Sequence, residues 1–367
     1  MKFSTLREEL LKPLQIVSGV VEKRQTLPIL SNILVKLDEN GIRVVATDLE
    51  MEIVARCNVD QAMPGSTTVP MRKLHDTCKT LAEGSLVNFE LKNEKAVLKS
   101  GKTRFTLTTL PAEDFPVINT KKTLFEFDID QSELKRLLDK SSFAMAVQDV
   151  RFYLNGLLLE IDGGKITAVA TDGHRLALAS ADGAISGGAD TIQAIVPRKA
   201  VAEISRLLSD EQGEAKIVLG ENFLRIEFGD VTFTTKLIDG KYPAYQNVIP
   251  GEGDKIVVAD KEELRQCLIR TSILSNEKYR GIRLELGDGK LKAVANNPEQ
   301  EEAEDEIQID YQGEGLVIGF NVSYLLEAIT AVSGDRVRIG LTDTNGSALI
   351  TALDDDSCRY VVMPMRL

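Results

Sequence analysis

The chain is nowhere uncharged for long. Its longest run without a charged residue, Gly315–Leu326, covers 12 residues, too few to cross a bilayer as a helix. The N-terminus, MKFSTLREELL, meets charged residues before an apolar signal region could form, so a cytoplasmic protein with no membrane partner is expected. Cysteine is scarce. Cys57, Cys78, Cys267 and Cys358 stand far apart with no C-x-x-C pair, which argues against a disulfide framework or a zinc knuckle and for thiols in a reducing cytosol. Histidine is scarcer still, with His75 and His174 alone and no H-E-x-x-H spacing. Asp172-Gly173-His174 could serve as a metal or general-base constellation, but a hydrolase needs further ligands or an oriented nucleophile. No P-loop and no G-x-G-x-x-G after a strand is present, so nucleotide hydrolysis is unsupported. The expectation is a chain without catalysis, metal or cofactor.

What is present is repetition. Val45-Ala46-Thr47-Asp48 recurs 124 residues later as Val169-Ala170-Thr171-Asp172, and 125 residues further on as Val294-Ala295-Asn296-Asn297. Each copy closes an alternating strand and enters a polar turn. A period of this length is that of a whole domain rather than a solenoid repeat. Three helices align as REELLKPL, QSELKRLL and KEELRQCL, with Leu10/Leu14, Leu134/Leu138 and Leu264/Leu268 making one apolar stripe each. Asp130 and Asp260, three residues before Glu133 and Glu263, fit helix N-caps. Strands are expected at 29–37, 42–47, 153–161, 166–171, 282–286 and 291–295. A second strand, helix and strand series follows in each repeat, and Phe115-Pro116 and Tyr242-Pro243 end the first two. The reading is α+β, with three tandem domains (1–121, 122–250, 251–367) of two βαβββ units each. Pro, Gly and charge gather at the linkers near Asn119–Lys122 and Pro250–Asp254.

The net charge of −12 argues against a nucleic-acid partner if taken as a sum. Its distribution points the other way. The six expected helices (5–19, 71–82, 131–142, 197–208, 261–274, 321–333) hold 14 Lys/Arg against 9 Asp/Glu, which leaves −17 for the rest of the chain. Helices sharing one face would present positive charge suited to a phosphate backbone touched without base reading. Twelve helices about 10 Å wide, side by side, enclose a hole of roughly 28 Å, whereas six leave about 9 Å. A duplex roughly 20 Å across passes only the former, which requires two chains. A head-to-tail array of equivalent domains also removes exposed sheet edges by closing on itself.

The strings TLPILSNILV (26–35), ATDLEMEIVAR (46–56), QDVRFYLNG (148–156), ATDGHRLA (170–177), ILSNEKYRG (273–281), NNPEQEEAE (296–304) and YVVMPMRL (360–367) closely resemble the bacterial DNA polymerase III beta subunit family, the sliding clamps, over the whole chain. The resemblance implies the DNA-clamp fold, closed as a homodimeric ring around duplex DNA without sequence reading. It implies a non-enzymatic processivity factor with several partners: the DNA polymerase III catalytic subunit, an ATP-driven clamp loader, other polymerases, ligase and mismatch-repair proteins. It also implies an apolar pocket for a Gln/Leu/Phe-rich partner peptide. One side of that pocket would be Leu154, Thr171, Gly173, His174, Arg175, Leu176, Pro243 and Val248. The other would be Arg151, Tyr153, Ser347, Val361, Met363, Pro364, Met365 and Arg366. Adaptable methionines beside a proline suit a surface that accepts several peptides. At the rim, Asn247 stands where many relatives are basic and Asn345 where many are apolar. Arg24 and Gln148 match loops that approach DNA, with Arg72, Arg198 and Lys199 on inner helices. The dimer seam implied by the resemblance sets Phe105, Leu107, Lys73, Lys99 and Arg104 against Ile273, Leu274 and the run 299–306, with Glu299, Glu301, Glu302 and Glu304. A scaffold that only organises proteins is the remaining alternative.

Overall fold

A computed structural model describes residues 1–21, 27–59, 61–182, 191–209 and 213–366. Six βαβββ units follow one another. The first is β1 (Lys2–Leu6), α1 (Arg7–Val17), β2 (Asn32–Asp38), β3 (Gly41–Thr47) and β4 (Met51–Cys57). A three-residue strand, β5 (Gln61–Met63), precedes the second: β6 (Gly65–Pro70), α2 (Met71–Thr80), β7 (Leu86–Lys92), β8 (Lys95–Ser100) and β9 (Thr103–Thr108). The third is β10 (Thr123–Asp130), α3 (Gln131–Ser141), β11 (Gly156–Asp162), β12 (Lys165–Thr171) and β13 (Arg175–Ala181). The fourth is β14 (Ile192–Pro197), α4 (Arg198–Leu207), β15 (Glu214–Gly220), β16 (Phe223–Phe228) and β17 (Val231–Lys236). The fifth is β18 (Lys255–Asp260), α5 (Lys261–Ser272), β19 (Gly281–Gly287), β20 (Lys290–Asn296) and β21 (Glu302–Gln308). The sixth is β22 (Leu316–Asn321), α6 (Val322–Ala331), β23 (Arg336–Leu341), β24 (Ala348–Ala352) and β25 (Cys358–Val362).

The helices stand where their leucine spacing puts them, and Leu10, Leu14, Leu134, Leu138, Leu264 and Leu268 are all buried. Asp260 caps α5, its carboxylate accepting from the Glu263 N–H at 2.8 Å. Two expected strands begin late. Pro28–Ser31 and Phe152–Leu154 form 3₁₀ turns before β2 and β11. Alternating apolar residues suggested strand there, but Leu30 and Leu154 turn inward from a tight turn closed by Leu30 N–H on Leu27 O and Leu154 N–H on Arg151 O. A short apolar run does not distinguish the two conformations.

Every sheet is antiparallel, and the strand before each helix leaves its own unit. It pairs with the three-strand series of the neighbouring unit: β1 with β7, β6 with β2, β10 with β15, β14 with β11, β18 with β23 and β22 with β19. Two sheets also run across repeat boundaries, through β17 on β4 and β13 on β25. The chain therefore forms two compact units that cut across the three repeats. One comprises Met1–Lys135 with Ala202–Leu237, and the other Arg136–Val201 with Ile238–Leu367.

The first unit holds the sheets β5-β1-β7-β8-β9 and β10-β15-β16-β17-β4-β3-β2-β6, with α1 packed on α2 and on β4. The second holds β14-β11-β12-β13-β25-β24-β23-β18 and β21-β20-β19-β22, with α5 packed on α6 and on β21. Among the described residues, β9 and β21 each end a sheet with the outer edge unpaired. No helix of the described residues is long and apolar enough to cross a membrane.

Candidate functional site

The predicted pocket residues all fall in the second unit, and the register of its eight-stranded sheet explains how they meet. Side chains on one face of a sheet come from cross-strand partners and from every second residue along each strand. Thr171 pairs with Leu176, Leu176 with Val361, and Val361 with Leu349, which makes one row. The next row on that face is Ile195, Leu158, Val169, Leu178 and Arg359. A third is Gln193, Glu160, Thr167 and Ser180.

The linker after Ile238 lies over this face. Tyr242 and Tyr245 bury their rings in a cluster with Leu154, Leu158, Val169, Leu176, Leu178, Leu349 and Val361, while Tyr153, Val248 and Ile249 pack against it half-buried. Both phenols are anchored. Tyr242 accepts from the Thr171 backbone N–H at 3.1 Å, and Tyr245 donates to Glu160 at 2.5 Å. Burial pushes both phenols above the ordinary tyrosine value, and the Glu160 carboxylate adds to the shift at Tyr245. Neither tyrosine, nor Leu349, was among the residues singled out from the sequence. Tyr242-Pro243 was visible there only as the end of a repeat. Beyond Tyr245, on the third row, a concavity of about 490 Å³ is lined by Glu160, Thr167, Ser180 and Arg359.

The turn 171–175 is held by its own side chains. Thr171 Oγ1 donates to Arg175 O at 2.6 Å and accepts from Gly173 N–H at 3.1 Å, while Asp172 Oδ1 accepts from the N–H groups of His174 and Arg175. Asp172 Oδ2 takes Arg175 Nε at 3.0 Å. That carboxylate is thus occupied by its own turn, which speaks against the metal or general-base reading of Asp172-Gly173-His174. No cluster of His, Cys, Asp and Glu with metal-holding geometry occurs among the described residues.

Arg175 is held on several sides. Its side chain is 11% exposed. It pairs with Asp172 and Glu327, donates to Phe143 O at 2.7 Å and lies 4.4 Å from the Tyr324 ring centre. With its donors spent in this way, it braces the turn from behind. His174 is exposed, and its carbonyl accepts from Met363 N–H at 2.9 Å. Met365 N–H donates to Gly319 O at 2.8 Å, so backbone bonds fix the terminal segment while the half-buried side chains of Met363, Pro364 and Met365 remain at the surface. Ser347 is half-buried, immediately before β24, and Pro243 and Arg366 are exposed, as are Asn247 and Asn345.

Arg151 lies over Gly173. Its guanidinium is clasped by Asp149 at 3.0 and 2.8 Å and donates to Asp172 O at 3.1 Å. The Arg151 hydrogen bonds hold the Asp149 carboxyl down at about 2, against an ordinary carboxylate value near 3.8. Because the folded-state value is lowered, the clasp is fully formed above the ordinary value and is lost as pH falls through about 2. A carbon-detected NMR titration of Asp149 between pH 7 and 4 is expected to show no protonation. Gly173 has φ +88°, and a Cβ there would sit 2.9 Å from the Arg151 guanidinium. Gly173→Ala is expected to displace Arg151 and cost about 1 kcal/mol, read from the melting temperature.

The remaining predicted residues are placed as follows. Gln148 sits in the exposed loop after α3 with φ +54°, and Arg198 at the start of α4 donates to Met145 O, three residues earlier in that loop. Lys199 is exposed beside Arg198, and Arg72 is exposed on α2. Arg24 lies outside the described residues. At the expected seam, Lys73, Lys99 and Arg104 are exposed, Phe105 is half-buried, and Leu107 is buried within its own unit. Ile273 is 75% exposed at the end of α5, with Leu274 half-buried next to it. Glu299, Glu301, Glu302 and Glu304 are exposed, but part of the acidic run is answered inside its own unit: Glu304 by Lys292, Glu306 by Lys290 and Asp305 by Arg270.

Three family models match in tandem. They are the DNA polymerase III beta subunit N-terminal domain over residues 1–119, the central domain over 128–244 and the C-terminal domain over 246–366. The chain is 54% identical to the beta sliding clamp of Pseudomonas aeruginosa over all of both chains. Its fold superposes on a crystal structure of the DNA polymerase sliding clamp from that organism with ligand (TM-score 0.98, 53% identity, full coverage of both). It also superposes on the pol III beta structure of Caulobacter crescentus (TM-score 0.94, 36% identity, full coverage of both).

Proposed function

The chain belongs to the DNA polymerase III beta subunit family, and from that premise we propose how it works as a sliding clamp. It is a processivity factor and has no catalysis of its own. Two chains close head-to-tail into a ring around duplex DNA, and the ring holds a polymerase on its template by topology rather than by affinity. The observation that carries this reading is the opposite charge on two of the strands that end sheets. β9, with Lys99, Lys102 and Arg104 exposed on and beside it, ends one sheet, and β21, with Glu302, Glu304 and Glu306, ends another. An unpaired edge of either kind invites pairing with another chain, and opposite charge selects the correct partner and register. Ile273, Leu274 and Phe105 supply apolar surface to that seam.

Partner proteins dock a Gln/Leu/Phe-rich peptide where Leu176, Val361, Tyr153 and Val248 meet the methionines of the terminal segment. The partners are the replicative polymerase, the clamp loader that opens the ring, other polymerases, ligase and mismatch-repair proteins. Domain limits at 121 and 250 mark the linkers, and Arg24, Arg72, Gln148, Arg198 and Lys199 touch the duplex without reading bases. The working compartment is the cytoplasm. Retention on nicked circular plasmid after loading tests the central claim. The protein should stay on the circle and leave once the DNA is linearised. Equal retention on both would replace encirclement by ordinary phosphate binding, and retention on neither would favour a scaffold that organises proteins alone.

A further inference from the structure

The first unit contains a second rendering of the same site's backbone. β4 pairs with β17 as β13 pairs with β25: Met51 opposite Thr235 matches Arg175 opposite Val362, and Glu52 opposite Thr234 matches Leu176 opposite Val361. The turn 47–51 repeats the bonds of 171–175, with Thr47 Oγ1 on Met51 O at 2.8 Å and Asp48 Oδ1 accepting from Glu50 and Met51 N–H. Lys236 N–H donates to Glu50 O at 2.9 Å, as Met363 does to His174. The 3₁₀ turn at Pro28–Ser31 places buried Leu30 where Leu154 stands, and Phe115 is buried where Tyr242 is.

The rim of this copy is apolar. Leu27 and Leu49 occupy the positions of Arg151 and Gly173, and both are exposed, as is Val117 on the linker. The floor is not apolar. Glu52, Thr234 and Lys236 stand where the peptide site has Leu176, Val361 and Met363. Glu52 is half-buried and takes the N–H of Ile118, which ties the linker to the strand, and Lys236 pairs with Glu50 at 3.4 Å. An apolar side chain seated here would have to strip the remaining water from a carboxylate and from an ammonium whose ion pair with Glu50 is long and largely exposed.

We infer that Glu52, Thr234 and Lys236 are specificity-determining residues that confine apolar peptide docking to one of two equivalent joints in each chain. The inference rests on the peptide-pocket assignment under Proposed function. Rejecting an unwanted site by a charged floor, while the backbone is kept, is specificity by exclusion. In a ring it limits each partner to two positions rather than four.

The test is calorimetric titration of the full-length protein with a synthetic peptide rich in Gln, Leu and Phe. The wild-type chain should bind one peptide. The variant E52L/T234V/K236M should bind two, with the second within about a hundredfold of the first. Adding Met363→Ala and Met365→Ala should weaken the original site about a hundredfold and leave the affinity of the new one unchanged. A folded triple variant, with unchanged circular dichroism and melting, that still binds one peptide overturns the inference. The milder E52Q/K236M variant removes both charges and keeps an acceptor for Ile118 N–H. It should show a weak second site, and its failure to do so also overturns the inference. If instead the wild-type site proves indifferent to Met363→Ala with Met365→Ala, the pocket assignment falls and the inference with it, a result read on the wild-type background alone.

Discussion

Replacing Ile273 and Leu274 together by alanine is expected to convert the dimer to monomers at nanomolar concentration. Ile273 is 75% exposed in the single chain, an unusual position for a large β-branched apolar side chain at the end of a helix whose other face is buried. Leu274 is half-buried beside it, and α5 packs on β21, the strand whose edge is open. Burying two such side chains at a seam contributes roughly 3–4 kcal/mol, and a ring of two chains has two seams. Each 1.4 kcal/mol is about a tenfold change in the dissociation constant. The losses at both seams act on the same association, so the dimer weakens by roughly four orders of magnitude or more. Because neither residue contributes to the buried core of α5 formed by Leu264, Cys267 and Leu268, the monomer should keep its fold. Sedimentation at nanomolar concentration reads the outcome. Dimers that persist there would remove Ile273 and Leu274 from the seam.

The second large effect is at the peptide site. Met363→Ala with Met365→Ala is expected to weaken partner-peptide binding about a hundredfold and leave the dimer intact. The segment carrying the two methionines is held through backbone, by Met363 N–H on His174 O and Met365 N–H on Gly319 O. Truncating the side chains therefore removes contact surface without releasing the chain. Losing most of two thioether side chains from an apolar interface costs about 3 kcal/mol. Flexible thioether side chains suit the proposed pocket because they adapt to more than one sequence. Unchanged affinity in a fluorescence-polarisation titration would sink the pocket assignment.

Much of this architecture is legible in the chain because it is written three times. The leucine stripes, the Asp260 cap and the turns after Thr47 and Thr171 follow from local rules, and local rules repeat with the sequence. The turn also shows how repetition conceals difference. Leu49 and Gly173 both take positive φ, at 78° and 88°, yet only the glycine leaves room for a guanidinium above it. Two features were not legible. Arg175 reads from the resemblance as one side of the pocket, but its partners Glu327, Phe143 and Tyr324 come from sequence positions that no local pattern connects to it. The exchange of first strands between neighbouring units is equally silent, since alternation identifies a strand and one buried face but not which neighbour supplies its hydrogen bonds. Tyr242 and Tyr245 were missed for the same reason: their importance lies in covering a face assembled from six strands.

Those exchanged strands also govern how the molecule comes into being. No unit can complete its sheet from its own residues, so a ribosome that has released one βαβββ segment has released something that cannot yet close. β1 waits for β7, some eighty residues later, and β13 waits for β25, with Arg175 finding Val362 across about half the chain. Pairings this distant must absorb loop-closure entropy before they return any stabilisation, which slows folding and keeps strand edges open in the meantime. The segment that carries β25, Met363 and Met365 pairs with β13 and β24 and so completes the face that Tyr242 and Tyr245 cover. A chain lacking this segment would be left with β13 and β24 unpaired on the sides that β25 covers, and with that face open.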